Sequence, residues 1–214
     1  MGNNAVTAIK FGWFKEVWNF RELFYFFVWR DIKIRYKQTV LGALWAIIQP
    51  FFTMVVFTIF FGNFAKVPSE GVPYPVFSYS ALVPWTYFSG ALGLSGNSLI
   101  GNSNLLTKVY FPRFAIPASA ALAGILDFFI ASILLFGIMI YFHIPLSLNL
   151  LFWPIFVIPL LFLALGLGMI FSSLNVKYRD IKYTIPFMIQ LGLFLSCRGV
   201  RKNPNSLASP YLHR

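Results

Sequence analysis

The chain alternates long apolar runs with short basic segments. Charges are absent or nearly absent over residues 41–61, 76–100, 114–142 and 150–175, and a fifth apolar run covers residues 184–196. About 20 apolar residues span the core of a bilayer, so the first four runs predict membrane-crossing helices. The fifth run has 13 residues and is predicted to be too short to cross alone. We therefore expect an all-α polytopic membrane helix bundle with five apolar segments.

Small residues and turn formers refine this pattern. Residues 62–75 carry several glycines and prolines and predict a loop between the first two spans. Two spans contain small residues of the kind that lets helices pack closely. They are Ser89, Gly90, Gly93 and Gly96 in the second span, and Gly166 and Gly168 in the fourth.

An amphipathic helix is predicted ahead of the first span, over residues 11–37. Polar Lys15, Glu16 and Glu22 recur at helical spacing, and aromatic residues such as Phe24 and Tyr25 are expected on the opposite face. Such a helix lies in the plane of the membrane interface. At its basic end, Asp31 and Arg35 have the i,i+4 spacing of an ion pair.

These patterns divide the chain into three parts. Residues 1–40 form an N-terminal interface segment, residues 41–196 the transmembrane domain, and residues 197–214 an atypical polar tail in which the composition changes abruptly at Cys197.

Composition narrows the class of protein. Hydrophobic residues make up 58% of the chain and charged residues 11%, against about 25% charged in a soluble domain. A soluble enzyme, a disordered chain and a fibrous repeat are therefore excluded. One cysteine, Cys197, excludes an intrachain disulfide, and His143 and His213 are the two histidines, so we expect no metal site.

The positive charges predict an orientation. The net charge is +11, and the basic residues stand in blocks beside apolar runs, which favours membrane lipids over nucleic acid as their partner. The segment before the first span and the second and fourth loops hold twelve Lys and Arg, against one in the first and third loops. The N-terminus is therefore predicted to be cytoplasmic. Four basic residues in the tail would oppose this pattern if the fifth run crossed the membrane.

Motifs for enzyme chemistry are not found in the sequence. It contains no phosphate-binding Gly-x-x-x-x-Gly-Lys-Ser/Thr loop, no Gly-x-Ser-x-Gly and no His-Glu-x-x-His. We expect no catalytic residue and no cofactor in this chain. Asp127 is the single acid within a span, and an intramembrane acid is a functional candidate by default. Without an obvious basic partner, it is more easily explained by structural hydrogen bonding than by a proton relay.

Two predicted cytoplasmic loops combine basic and aromatic residues. They cover residues 104–113 and 175–183, and the second contains Asp180 among its cations. Both patterns fit docking elements for a cytoplasmic partner, and both fit ordinary basic loops.

Four stretches of sequence together resemble a known family. They are residues 30–45 followed by Gln49 and Pro50, residues 82–85, residues 102–113 and residues 175–180. The combination closely resembles the permeases of bacterial ABC exporters for polysaccharides and polyol phosphates, over residues 20–196. The resemblance implies a homodimer with six membrane helices per subunit. It also implies two separate ATPase subunits that carry ATP and Mg²⁺, and a lipid-linked glycan such as an O-antigen, capsule or teichoic-acid precursor crossing the inner membrane.

The resemblance also implies roles for individual residues. Contacts with the ATPase are expected at Asn104, Thr107, Lys108, Tyr110, Arg113, Lys177, Tyr178, Arg179 and Asp180. A cytoplasmic portal, where a pyrophosphate headgroup would meet cations, is expected at Arg30, Lys33, Arg35, Tyr36 and Lys37. The aromatic residues Trp85, Tyr87 and Phe88 are expected either to line a sugar path or to form an interfacial belt, and the belt is favoured.

The chain departs from this resemblance after Ser196. Related permeases continue with a re-entrant region and a sixth span, so we expect a C-terminally truncated product that does not support export by itself. Two other functions stay open: a permease for another lipid or drug, and a membrane-embedded enzyme acting on lipid-linked sugars. The enzyme would need a cluster of acids or histidines near one membrane face.

Overall fold

The computed structural model describes residues 20–37, 44–64, 72–103, 113–144, 148–178 and 180–199. These residues form helices and short turns, and no strand occurs among them. The helices are α1 (Arg21–Lys37), α2 (Trp45–Phe57) with a π-helical continuation (Thr58–Phe64), α3 (Tyr74–Gly101), α4 (Ala115–Ala123), α5 (Ile125–Tyr141), a 3₁₀ helix (Leu148–Phe156), α6 (Val157–Lys177) and α7 (Ile181–Gly199). The protein is an all-α helix bundle, as the sequence predicts.

Helix α3 is the centre of the bundle. It packs against α2, α4, α5, α6 and α7, and most extensively against α6. Its Tyr79, Val83 and Ala91 belong to the main hydrophobic core, which also takes in Phe128 of α5 and Ala164 of α6. The helix that packs against most of the others therefore carries many small and polar residues.

Three helical stretches are long and apolar enough to cross a membrane by length and composition: Trp45–Gly62, Ala115–Tyr141 and Phe152–Lys177. Helix α3 has 28 residues, a length of about 42 Å at 1.5 Å per residue, but it is not among these three. Its serines and glycines lower its hydropathy. Several of them face other helices instead of an apolar exterior.

Helix boundaries differ from the predicted runs at the first loop and within the third run. The predicted loop at residues 62–75 is shorter, since the π-helix continues to Phe64 and α3 already begins at Tyr74. Pro75 lies in the first turn of α3, where the missing N–H of proline costs no helical hydrogen bond. The single predicted helix over residues 114–142 is divided into α4 and α5 at Gly124.

The last helix is longer than its apolar run. Helix α7 has 19 residues, about 28 Å of helix, whereas the apolar run has 13 residues. The polar residues at either end of the run are helical as well, yet α7 is not among the described stretches that are long and apolar enough to cross a membrane, which agrees with the prediction for the fifth run. The helix also continues past Cys197, where the composition changes.

Helix α1 packs on the bundle through part of its aromatic surface. Phe27 is buried with Ala115 and Ile116 of α4. By contrast, Tyr25 and Trp29 are 70% and 53% exposed. The prediction of a single apolar face was wrong, because aromatic residues occur on all sides of this helix. Phe27 points towards the bundle, whereas Tyr25 and Trp29 do not. Residues 11–19 of the predicted helix lie outside the described residues.

Two of the predicted small residues lie at close helix contacts. A Cβ atom at Gly168 would lie 2.6 Å from the Ser95 Cβ, and one at Gly96 would lie 2.6 Å from the Ile185 Cδ1. At Gly166 and Gly93 a Cβ would meet nothing within 4 Å. Helices α3 and α6 therefore approach each other at Gly168 more closely than any side chain there would allow.

Candidate functional site

The carboxylate of Asp127 is bound by two side chains of α1. Arg35 Nη1 forms an ion pair with Asp127 Oδ2, and the Tyr36 hydroxyl donates a hydrogen bond to Asp127 Oδ1. Both oxygens of the carboxylate are thus used. The side chains of Arg35 and Asp127 are 27% and 30% exposed, so the pair is shielded from solvent but not sealed from it.

Local sequence places these donors where they are needed. Arg35 lies in the last turn of α1, where the helix dipole favours a cation. Because Arg35 and Tyr36 are consecutive, they leave the helix about 100° apart, and both reach one carboxylate. Asp127 stands near the start of α5, three residues after Gly124.

A second carboxylate joins the same helix to the bundle. Asp31 Oδ2 accepts a hydrogen bond from Ser119 Oγ of α4 at 2.9 Å, and Asp31 Oδ1 accepts two from Arg30, at 2.8 and 3.0 Å. Ser119 is fully buried. The predicted i,i+4 pair of Asp31 with Arg35 was wrong: Asp31 pairs with Arg30, and Arg35 reaches Asp127. Helix α1 is therefore held at two points one turn apart.

Tyr36 is a neutral donor in this arrangement. Burial, followed by the hydrogen bond to the Asp127 carboxylate, raises the pKa of Tyr36 well above its usual range. A phenolate beside a carboxylate would repel it, so the protonated phenol is the form that stabilises Asp127.

These three residues lie on the wall of a cavity of about 670 Å³ between α1, α2, α3 and α5. Gln49 of α2 and Tyr87 of α3 also line it. The lining residues Trp45 and Leu94 are 55% and 46% exposed, so the cavity opens to the surface of the chain. Its volume is within the range of about 300–1,000 Å³ that small-molecule sites occupy.

Comparison with known proteins identifies the family. Residues 22–206 match the family model described as ABC-2 type transporter, which is most of the chain. The chain belongs to the ABC-2 type transporter family. It is therefore a membrane protein and a component of a transporter. The match also extends beyond Cys197, where the sequence resemblance was expected to end.

Individual relatives are named as export or transport proteins. The chain is 29% identical over 182 residues to the O-antigen export system permease protein RfbA of Myxococcus xanthus, covering 84% of this chain and 68% of that protein. It is 29% identical over 163 residues to RfbA of Klebsiella pneumoniae, covering 76% and 62%. It is 26% identical over 175 residues to the polysialic acid transport protein KpsM of Escherichia coli, covering 78% and 66%. The chain thus spans about two thirds of the length of these relatives.

The predicted portal residues of this ABC-2 family chain lie in three environments. Arg35 and Tyr36 line the cavity. Arg30 is partly buried, with its guanidinium 5.1 Å from the centre of the Phe27 ring. Lys33 and Lys37 are exposed on α1. The structure therefore brings two of the five predicted portal residues to the cavity itself.

The three aromatic residues predicted for a sugar path also separate. Tyr87 is buried and lines the cavity, and its hydroxyl donates to the Ala121 carbonyl at 3.5 Å. Trp85 and Phe88 are partly buried, with ring centres 5.8 Å apart, and neither belongs to the cavity lining. The Trp85 ring lies against Gly192 of α7, which shows that Trp85 packs between helices.

Part of the predicted ATPase contact is described by the structure. Arg113, Lys177, Tyr178 and Asp180 are all exposed. Arg113 lies before α4, Lys177 is the last residue of α6, and Tyr178 and Asp180 lie between α6 and α7. The Lys177 ammonium lies 5.3 Å from the centre of the Tyr178 ring. The Asp180 carbonyl accepts from the Tyr183 N–H at 3.0 Å, which begins α7. The remaining predicted contacts lie outside the described residues: Asn104, Thr107, Lys108, Tyr110 and Arg179.

Sequence reasoning singled out Asp127 but not its partners. The only sign of this contact in the sequence is a lone acid in an apolar run, together with a basic helix elsewhere in the chain. Within the described part of the chain, no group of three or more His, Cys, Asp and Glu side chains stands close enough together to hold a metal ion.

Proposed function

We propose that the chain is the transmembrane subunit of an ATP-driven ABC exporter that moves a lipid-linked polysaccharide or polyol phosphate across the bacterial inner membrane. The observation that carries this proposal is the family match over residues 22–206, together with relatives named for O-antigen export and polysialic acid transport. Their agreement on polysaccharide cargo favours a glycan over another lipid or a drug.

Nucleotide hydrolysis belongs, in this proposal, to a partner subunit. ABC-2 permeases normally pair with an ABC ATPase, and the sequence here contains no phosphate-binding loop for ATP. The exposed basic and aromatic residues around Lys177 and Arg113 supply a surface for that partner. ATP and Mg²⁺ would be bound by the ATPase, and the permease would act as a homodimer.

The orientation follows from the distribution of basic residues. The N-terminus and the loops at residues 104–113 and 175–183 face the cytoplasm, where the ATPase has access to them. Helix α1 then lies at the cytoplasmic interface. In this proposal, the exposed Lys33 and Lys37 and the cavity beside Arg35 would meet the anionic headgroup of the lipid.

The test is co-expression of the chain with candidate ABC ATPases from the same genome, in a strain that lacks its own glycan exporter. The proposal expects the two subunits to co-purify and the glycan to reach the cell surface in an ATPase-dependent manner. Export by the chain with a hydrolysis-deficient ATPase would contradict it. Transport of a phospholipid or drug without glycan export would favour the alternative cargo, and turnover of a lipid-linked sugar by the chain alone would favour an enzyme.

A further inference from the structure

The two donors that bind Asp127 form an anion site. A guanidinium and a phenol hydroxyl converge on a carboxylate, with one donor to each oxygen. Phosphate oxygens accept hydrogen bonds from the same donors, and guanidinium binds phosphate and carboxylate by the same charge-assisted geometry. The carboxylate of Asp127 therefore occupies a position that fits a phosphate group.

We propose that Asp127 closes this anion site, and that the phosphate or diphosphate of a lipid headgroup opens it by replacing Asp127 on Arg35 and Tyr36. The identity of the lipid in this proposal rests on the proposed export function. The proposal goes beyond that function in assigning Asp127 as a built-in competitor of the substrate.

The position of the ion pair supports exchange. A sealed pair would be inaccessible to a ligand, but both side chains are more than a quarter exposed and lie on the wall of an open cavity of about 670 Å³. Arg35 and Asp127 neutralise each other there. The cavity thus holds no net positive charge from this pair until the carboxylate is displaced.

The second anchor of α1 makes such an exchange tolerable. When Arg35 and Tyr36 turn to a phosphate, Asp31 still accepts the hydrogen bond from the buried Ser119. Helix α1 would lose its contact with the bundle at its C-terminal end and keep the contact one turn earlier, at Asp31. Substrate binding would in this way change the mobility of α1 beside the cavity, which is a coupling between a ligand and a helix contact.

A binding assay on the full-length protein in nanodiscs of neutral phospholipid tests the exchange. The probe is a fluorescent polyprenyl diphosphate, with the matching polyprenol and inorganic pyrophosphate as comparison ligands. Removing the competitor in Asp127→Asn is expected to tighten binding of the diphosphate about tenfold. Arg35→Gln is expected to abolish this binding. Arg21→Gln removes the same charge nearly four turns away on the same helix and serves as the matched control, with unchanged affinity.

The opposite results would show that the ion pair of Arg35 and Asp127 has only a structural role. If the pair only holds α1, Asp127→Asn lowers or leaves unchanged the affinity for the diphosphate, and this outcome would overturn the proposal. Equal binding of the polyprenol would show that the phosphate is not recognised. Tight binding of inorganic pyrophosphate but not of the polyprenyl diphosphate would overturn the assignment to a lipid headgroup.

A measurement on the unaltered protein avoids any dependence on the stability of the variants. Hydrogen–deuterium exchange in residues 33–37 is expected to become faster when the polyprenyl diphosphate binds, because the helix loses one of its two anchors. Binding without faster exchange there contradicts the displacement of Asp127. These readouts do not require transport, so failure of glycan export with a positive binding result would count against the proposed function alone.

Discussion

Arg35 and Asp127 stand 92 positions apart in the sequence and form an ion pair that joins the interface helix α1 to helix α5. Tyr36 completes the contact on the second carboxylate oxygen. An acid that seemed isolated within an apolar run thus has a cation and a neutral donor from another helix. This contact closes one side of the cavity between α1, α2, α3 and α5.

The energy of this pair can be measured by a double-mutant cycle. Arg35→Gln and Asp127→Asn are expected to show a coupling of about 1 kcal/mol in the free energy of unfolding, because the pair is partly shielded but not buried. Unfolding in mixed detergent micelles is the measurement. The cycle of Arg21→Gln with Asp127→Asn is the control and should be additive within about 0.5 kcal/mol. An uncoupled Arg35 and Asp127 would show that the contact adds nothing to stability.

The close contact of α3 with α6 predicts opposite effects at two neighbouring glycines. Gly168→Ala is expected to destabilise the protein by about 1–3 kcal/mol, because the new Cβ would lie 2.6 Å from the Ser95 Cβ and the helices must separate. Gly166→Ala has open space and should be neutral or stabilising by up to about 1 kcal/mol, since alanine is the better helix former. Thermal unfolding of both variants would check this, and equal effects would contradict the packing.

Reversal of one charge tests the surface for the ATPase. Arg179→Glu is expected to weaken association with the ATPase and to reduce export several-fold, because charged contacts at an interface determine docking and specificity. Co-purification and cell-surface glycan are measured at matched membrane abundance. Lys66→Glu makes the same change in the loop predicted to face the opposite side of the membrane. If both variants export equally well, the loop at residues 175–183 does not dock the partner.

The exposed lysines of α1 are predicted to act on the substrate and not on the fold. Neutralising Lys33 and Lys37 together should reduce glycan export while changing the melting temperature little, because exposed charges contribute about 0–1 kcal/mol to stability. Export, melting temperature and dimer assembly are compared with those of the wild type. Adding Arg30→Gln should lower stability as well, since Arg30 binds Asp31. Loss of assembly in the two-lysine variant would indicate that these residues only anchor the helix.

The order of helices along the chain could be predicted from the sequence. A bilayer-length apolar run must satisfy its own backbone hydrogen bonds, and an α-helix does so within one segment. This reasoning located α2, α3, α6 and the α4–α5 pair, and the basic stretch with its aromatic residues located α1. Helix ends were less predictable, because helices continue into polar residues: α7 has 19 residues around an apolar run of 13.

Which side chains meet was decided by the tertiary structure. Local spacing predicted that Arg35 would pair with Asp31, but helix packing brings Asp127 to Arg35 and leaves Asp31 to Arg30 and Ser119. Likewise, Gly166 and Gly168 are alike in sequence, yet only Gly168 lies against another helix at a distance that excludes a side chain. Contacts between distant segments depend on how each helix is rotated and positioned against its neighbours. The apolar periodicity within one segment does not determine that rotation or position.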